Sequence, residues 1–585
     1  MKYEKLARSA FDKIGYQPRE NQVEAVNNVL IEYLDNKKKI VILCAPTGTG
    51  KSVIGATIAE ALQKFLYPAE DKKASVILMH TNILTDQYFN SFNELDEFLL
   101  VKGASNYDCE INADPEATAE TCALFEMRLA LKEARGEEYE NLRDKIQECE
   151  YCEFNMLRQK RNIVKQLITN YSYFFISQLF SKTLEPRTIT IWDEAHTIND
   201  VFTEHCAIVF SNALLKKYRD EINDNSKLTN IHLAQTLADL IEAVDLDEIT
   251  EDNYVEFLKI LQEAYSDAKD LFKKQAGSPT GNKELDKQYT KMTKLSKKYE
   301  GLACKIGDFL TFMFEHIVEI RPADKKTGEK MIVIKPIFVG KMFNVLDNSE
   351  FQLFMSATIN KEYMLKTFDV DPDKVAFVKL DPTFPPENKK IIVYKPLALN
   401  FGSLKKKETI DGLCERIETI VAHHIEKGES GIIQTPSFDL NEKVARHIIG
   451  KFKSIKIFHH ERGQKLEQMI SKFKTCRSIG LLISPSLFEG VDLPDDISRF
   501  QIIAKVPYAS LGDKRISYIA DHHKDIYSLL ALIKIVQAAG RSVRGPEDWA
   551  TTYCLDTNFF KIWNTPMNVW KKECDVTQRN LLGQD

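Results

Sequence analysis

Three groups of residues in this 585-residue sequence have the types and spacing to do chemistry. The first is CAPTGTGKS, Cys44–Ser52. Gly48 and Gly50 remove side-chain bulk, so that backbone N–H groups in a loop formed with Pro46, Thr47 and Thr49 can point inward at a phosphate. Lys51 can reach β- and γ-phosphates and Ser52 can ligate Mg²⁺. Ala45 stands where the P-loop template places its first glycine and is the only departure from it. The second group is Asp193–Glu194 in RTITIWDEAHTIND. Here one carboxylate can hold Mg²⁺ through water while its neighbour polarises an attacking water. The same pair also suits a plain helix start, where acids are favoured. The third group is four cysteines spaced Cys109-x12-Cys122-x26-Cys149-x2-Cys152. Four thiolates can hold an iron–sulfur cluster or a tetrahedral Zn²⁺, and four buried free thiols are the remaining alternative.

Positioning these residues requires particular elements. IVILC before the loop is a short β-branched apolar run, which predicts a buried parallel strand. After it, Ile54, Ile58, Ala61 and Leu62 share one helix face, so the phosphate loop sits between strand and helix, with the positive helix end toward the anion. TITIW predicts a second strand that ends at Asp193. Beyond residue 361, strand-like runs alternate with helical ones (GIIQTP, SIKIFHH, IGLLISPS, FQIIAKVPY, TTYCLD), which predicts a second parallel α/β sheet. The chain is long enough for about four domains. Its hydrophobic content of 44% can build their cores. A net charge of −6 gives no global nucleic-acid signal, so any binding track must be a local basic groove. The N-terminal stretch MKYEKLARSAFDKIGYQ lacks a signal-peptide core, and no run of 18 apolar residues occurs, so no membrane association is expected. The other seven cysteines are scattered and read as small hydrophobes.

APTGTGKS followed by DEAH at Asp193–His196 resembles the superfamily 2 helicases and translocases, in which Ala for the first glycine is common. Further stretches match that superfamily in order. RENQ at Arg19–Gln22 resembles the adenine-reading Q motif, with Gln22 as reader. LMHTNILTDQY resembles the strand-gripping motif, and MSAT at Met355–Thr358 the motif coupling nucleotide to strand. GIIQTPSF, LLISPSLFEGVDLP (with Gly490 and Asp492) and QAAGRSVRG resemble motifs of a second motor. In the last, Gln537, Gly540, Arg541 and Arg544 match Q-x-x-G-R-x-x-R, which makes Arg541 and Arg544 arginine fingers that would stabilise transition-state charge. The position of the four cysteines, between P-loop and DEAH box, with NYSYF after them, is similar to the XPD/DinG branch of iron–sulfur helicases.

That resemblance implies an α/β fold of two RecA-like parallel-sheet motor domains, with a Cys-rich iron–sulfur insertion and a helical Arch-like insertion. The expected spans are 1–100, 166–200 and 336–360 for the first motor, 101–165 for the cluster domain, 201–335 for the Arch and 361–585 for the second motor. It implies an ATP-dependent DNA helicase moving 5′ to 3′ on single-stranded DNA, with ATP, Mg²⁺ and a 4Fe-4S cluster held by Cys109, Cys122, Cys149 and Cys152. Ser52 and Asp193 would hold Mg²⁺, and Lys51, Glu194 and Gln537 would join the arginines in catalysis. Single-stranded and forked DNA are the expected partners of a monomer. Its expected location is the cytoplasm or nucleoid, or the host cytoplasm if it is viral. Thr81, Thr435 and Ser437 are candidate phosphate ligands, and RQKRNIVK after Cys152 is either part of the strand's path or a solvated helix face. A fused exonuclease is not expected, because the Q-like motif begins by residue 16. A translocase that remodels nucleoprotein without unwinding, its cysteines binding zinc, remains the rival reading.

Overall fold

The computed structural model describes the chain except residues 68–74, 93, 96, 110–111, 113, 123, 133, 179–183, 227–238, 240–248, 251, 278–281, 313–314, 323–329, 341–342, 344–348, 486–492, 494, 544, 546 and 581–585. Arg544, Gly490 and Asp492 therefore lie outside the described residues.

Two seven-stranded sheets organise the molecule, and their strand pairs are parallel throughout. The first runs, edge to edge, Val375–Lys379, Ile40–Cys44, Ser349–Ser356, Arg187–Asp193, Ser75–Met79, Gln166–Asn170 and Phe98–Leu100. Its central strands are apolar on both faces because helices cover both sides. The register sets Cys44 opposite Ser356 and Asp193 opposite Met355. The phosphate loop, the MSAT stretch and the DEAH stretch thus leave neighbouring strands at one end, the carboxyl end where open α/β sheets bind ligands. Val375–Lys379 lies beyond residue 360, where the sequence places the start of the second motor, yet it pairs with Ile40–Cys44. The first sheet therefore takes one more strand before the chain crosses over.

The second sheet runs Lys456–His459, Gly480–Ser484, Gly431–Gln434, Phe500–Ile503, Ala550–Asp556, Lys389–Leu397 and Asp575–Arg579. Helix Lys524–Ala539 packs beside it and presents Gln537 to the first motor. Between DEAH and MSAT lie helices Asn212–Ser226, Tyr254–Ala276 and Lys283–Phe312. The last two pack along each other through apolar rows at helical spacing, such as Leu258, Leu261, Tyr265 and Phe272 against Met292, Tyr299 and Phe309. Ile208–Ser211, Lys330–Pro336 and His316–Pro322 form a small antiparallel sheet beneath them. The Cys-bearing segment returns to the first sheet through Arg187, whose buried guanidinium donates to the carbonyls of Arg161, Val164 (2.8 Å) and Lys165 (2.9 Å). No helix among the described residues is long and apolar enough to cross a membrane.

Candidate nucleotide site and cysteine cluster

The phosphate loop has the conformation its glycines allow. Gly48 and Gly50 take φ of 84° and 77°, the left-handed region in which a side chain would be strained. Ala45 is buried, has no positive φ, and donates its N–H to Ser356 O at 3.0 Å, so its methyl needs no glycine. Thr49 is fully buried and its Oγ1 donates back to Pro46 O at 2.8 Å. Ser52 opens helix Lys51–Leu66, and its carbonyl accepts from Tyr88 at 2.8 Å. Sequence reasoning missed Tyr88 as a brace, since nothing local marks it.

Gln22 lies against the phosphate loop. It is 2% exposed. Its Oε1 accepts Arg19 N (2.9 Å) as in a capping box, and its Nε2 donates to Thr49 O (2.9 Å). Arg19 itself donates to Gly48 O at 2.9 Å. The Arg19–Gln22 stretch thus holds the phosphate loop from behind.

Opposite the loop, Lys51 Nζ stands 3.6 Å from Glu194 Oε1. Asp193 ends its strand almost fully buried, and its carbonyl accepts from the Tyr171 hydroxyl. Burial, then the adjacent Glu194, raise the Asp193 carboxyl to about 7, against the pull of Lys51. Burial also pushes Glu194 up, but Lys51, His196 and a hydrogen bond from Ser356 outweigh it and hold that carboxyl below its ordinary value. Two neighbouring acids therefore have separated tendencies to ionise, as an acid–base pair requires. Glu194 has φ of 53°, an uncommon backbone for a non-glycine residue, held by Asp193 Oδ1 accepting its N–H at 3.0 Å.

A directed relay runs from the second motor to this acid. Gln537 Nε2 donates to His196 Nε2 (2.7 Å) and to Thr358 Oγ1 (3.1 Å). His196 Nδ1 faces Ser356 Oγ at 2.8 Å and lies 3.4 Å from Glu194 Oε2. Ser356 Oγ in turn donates to Glu194 Oε2 at 3.2 Å. A Cβ on Gly540 would lie 3.0 Å from Thr47 Oγ1, so the turn that carries the buried Arg541 abuts the phosphate loop. Beside the His196–Gln537 contact, a cavity of about 470 Å³ opens between the motors, lined in part by His80, Asp200, Leu530 and Lys534.

The candidate strand ligands divide. Thr81 and Ser437 each cap a helix, accepting from Leu84 N and Leu440 N at 3.3 Å, and helix N-termini of this kind suit phosphates. Thr435 is instead buried and bonded to Asn441 Oδ1 at 3.0 Å. The basic run after Cys152 also divides. Arg161 is buried against Tyr173 and Lys165 pairs with Glu97 at 3.1 Å, while Arg158 and Lys160 are exposed.

The four cysteine thiols converge. Burial first, then the charges of Cys122, Cys109 and Cys152, push the Cys149 thiol up to about 12. Asn155 Nδ2 lies 3.3 Å from Cys152 Sγ and 3.9 Å from Cys122 Sγ, and it donates to Cys149 O at 2.7 Å. Among the described residues, no three His, Cys, Asp or Glu side chains already stand in a metal-holding arrangement. Cys149 packs with Met127, Ile146 and Tyr289, the last from the long helix of the other insertion. Asn112 Nδ2 donates to Thr290 on that helix at 3.1 Å. The contact between the two insertions has no signal in the sequence.

Comparison with known proteins agrees with this arrangement. A family model for a helicase C-terminal domain matches residues 421–573, and one for the type III restriction enzyme res subunit matches 15–236. The ATP-dependent DNA helicase XPD of Sulfolobus acidocaldarius is 20% identical, with 96% of this chain and 98% of the relative covered. Along nearly its whole length the chain is similar to XPD-type DNA helicases. A solved XPD helicase superimposes with a TM-score of 0.59 at 16% identity, covering 96% of this chain and 100% of that one. The solved S. tokodaii Xpd4 does so at 0.54 and 15%, with the same coverage. These XPD structures share the fold of paired RecA-like motors.

Proposed function

We propose that this chain is an ATP-dependent DNA helicase that moves 5′ to 3′ on single-stranded DNA and opens forked duplex. The carrying observation is the unbroken relay Gln537–His196–Ser356–Glu194, which ties the second motor to an acid 3.6 Å from the phosphate-loop lysine. In this reading Gly48 and Gly50 cradle the phosphates and Lys51 neutralises them. Ser52 and Asp193 would hold Mg²⁺, which supplies charge neutralisation at the phosphate oxygens. Glu194 orients and accepts a proton from the attacking water. Arg541 and Arg544 complete the charge complement when the motors close. Gln22, which also braces the loop through Thr49, is the proposed adenine reader. The cavity beside Gln537 and the helix caps at Thr81 and Ser437 would follow the strand's backbone without reading its sequence.

Cys109, Cys122, Cys149 and Cys152 would hold a 4Fe-4S cluster, with the Asn155 amide beside the Cys152 and Cys122 sulfurs. Such a cluster would supply rigidity to the insertion. The 201–335 segment takes the Arch role, and the protein acts as a monomer.

Gel assays with 5′-tailed and 3′-tailed forks test the proposal. Wild type should release the labelled strand from the 5′-tailed substrate with ATP, and Lys51→Ala should not. DNA-stimulated ATP turnover without strand release would overturn the helicase in favour of a remodelling translocase.

A further inference from the structure

The segment after the second motor's last helix crosses back to the first motor. Trp570 is fully buried, and its Nε1 donates to Ala357 O at 3.0 Å. Cys44, the last residue of the phosphate-loop strand, points its Sγ at the same carbonyl at 3.6 Å. Asn360 Nδ2 donates to Met567 O at 3.0 Å, and Lys379 donates to Val569 O. Lys379 also pairs with Glu573 at 3.4 Å, a carboxylate only 4% exposed. Two residues later the chain becomes the edge strand Asp575–Arg579, parallel to Lys389–Leu397, the strand that follows the crossover between motors. Two adjacent strands of the second sheet thus connect directly to segments anchored on the first.

We infer that Met567–Glu573 is a second clamp on the Ser356–Thr358 loop, with Trp570 as a positioning residue for hydrolysis. The inference rests on the nucleotide-hydrolysing reading above. Gln537 holds the loop at Thr358 and Trp570 holds it at Ala357, the residue between Thr358 and Ser356. Ser356 Oγ touches both Glu194 and His196. A loop gripped on two sides keeps its serine hydroxyl in place against the catalytic acid, and a group off by a fraction of an ångström loses rate. The hydrogen bonds of Trp570 go to Ala357 O, Asn568 Oδ1 and Cys44 at the base of the phosphate loop, so its loss should leave nucleotide affinity in place.

A double-mutant cycle in steady-state ATP turnover tests this. Trp570→Phe keeps an aromatic ring in the site and removes the N–H together with part of the indole. It should lower kcat about threefold to tenfold, the worth of one hydrogen bond, with KM for ATP unchanged. Combined with Ser356→Ala, it should add little to the loss that Ser356→Ala causes alone, because both act through one hydroxyl. Should Trp570→Phe fail to fold, Asn568→Ala is the second variant. Asn568 Oδ1 accepts Trp570 N at 2.9 Å, so this change loosens the indole and should give the same kcat loss and the same non-additivity. Multiplicative losses, or a rise in KM instead of a fall in kcat, would overturn the inference while wild-type turnover keeps the function standing. A wild type without ATP turnover would overturn both.

Discussion

At the scale of single residues, the chemistry depends on two adjacent acids treated differently by their surroundings. Glu194 is pulled toward its charged form by Lys51 and Ser356, whereas Asp193, buried and next to that charge, is held protonated up to about pH 7. The sign follows directly. A carboxyl raised in the fold binds more protons than in the unfolded chain between its ordinary range and about 7, so the unliganded fold loses stability as pH rises through that window. With Asp193 holding magnesium as proposed, Mg–nucleotide binding would need its carboxylate and should expel this proton. Apparent affinity should fall by up to about tenfold per pH unit below neutrality. Calorimetry in two buffers of different ionisation enthalpy should register about half a proton released per nucleotide near pH 7, rising toward one about a unit lower. Identical heats in both buffers would remove Asp193 from the metal site.

Among the elements, the return of the Cys-bearing segment to the first sheet turns on Arg187. Its guanidinium is pulled down to about 10 by burial and serves as a hydrogen-bond donor to three carbonyls of the turn at 161–165. Arg187→Met keeps most of the volume and strands those carbonyls, at a cost of about 3 kcal/mol. A denaturation midpoint well below that of wild type, with earlier proteolysis near residue 161, is expected. An unchanged midpoint would mean that water replaces the arginine. This buried cation could not be singled out from RTITIWD, because only the turn folded over it shows what it donates to. Gly48 and Gly50 are the opposite case, since their left-handed backbone is written in the residue type.

Across the whole molecule, the two insertions behave as one body. Tyr289 of the long helix shares an apolar cluster with Cys149, and Asn112 bonds to Thr290. With a cluster bound as proposed, Cys152→Ser should lose its iron and also expose the 283–312 helix to protease, although that helix supplies none of the four cysteines. ATP turnover should survive in part, because Lys51, Asp193 and Glu194 lie outside both insertions, while strand separation should fail. Iron content, limited proteolysis and fork unwinding measure the three outcomes. Full unwinding by an iron-free Cys152→Ser would take the insertion out of the mechanism.

Local chemistry was legible without coordinates: the phosphate loop, the acids at a strand end, the four thiols and the alternation of a second parallel sheet each announce themselves over a few residues. Residue type and short spacing determine these, because backbone conformation and strand burial are local demands. Long-range pairing decided the rest. The strand Val375–Lys379 joined the first sheet across the expected boundary. Gln22 met Thr49, and Thr435 met Asn441. Trp570 reached Ala357 across 213 residues. Such partners are chosen by which buried polar groups still lack a hydrogen bond once the chain has folded, and that is a property of the packed molecule alone.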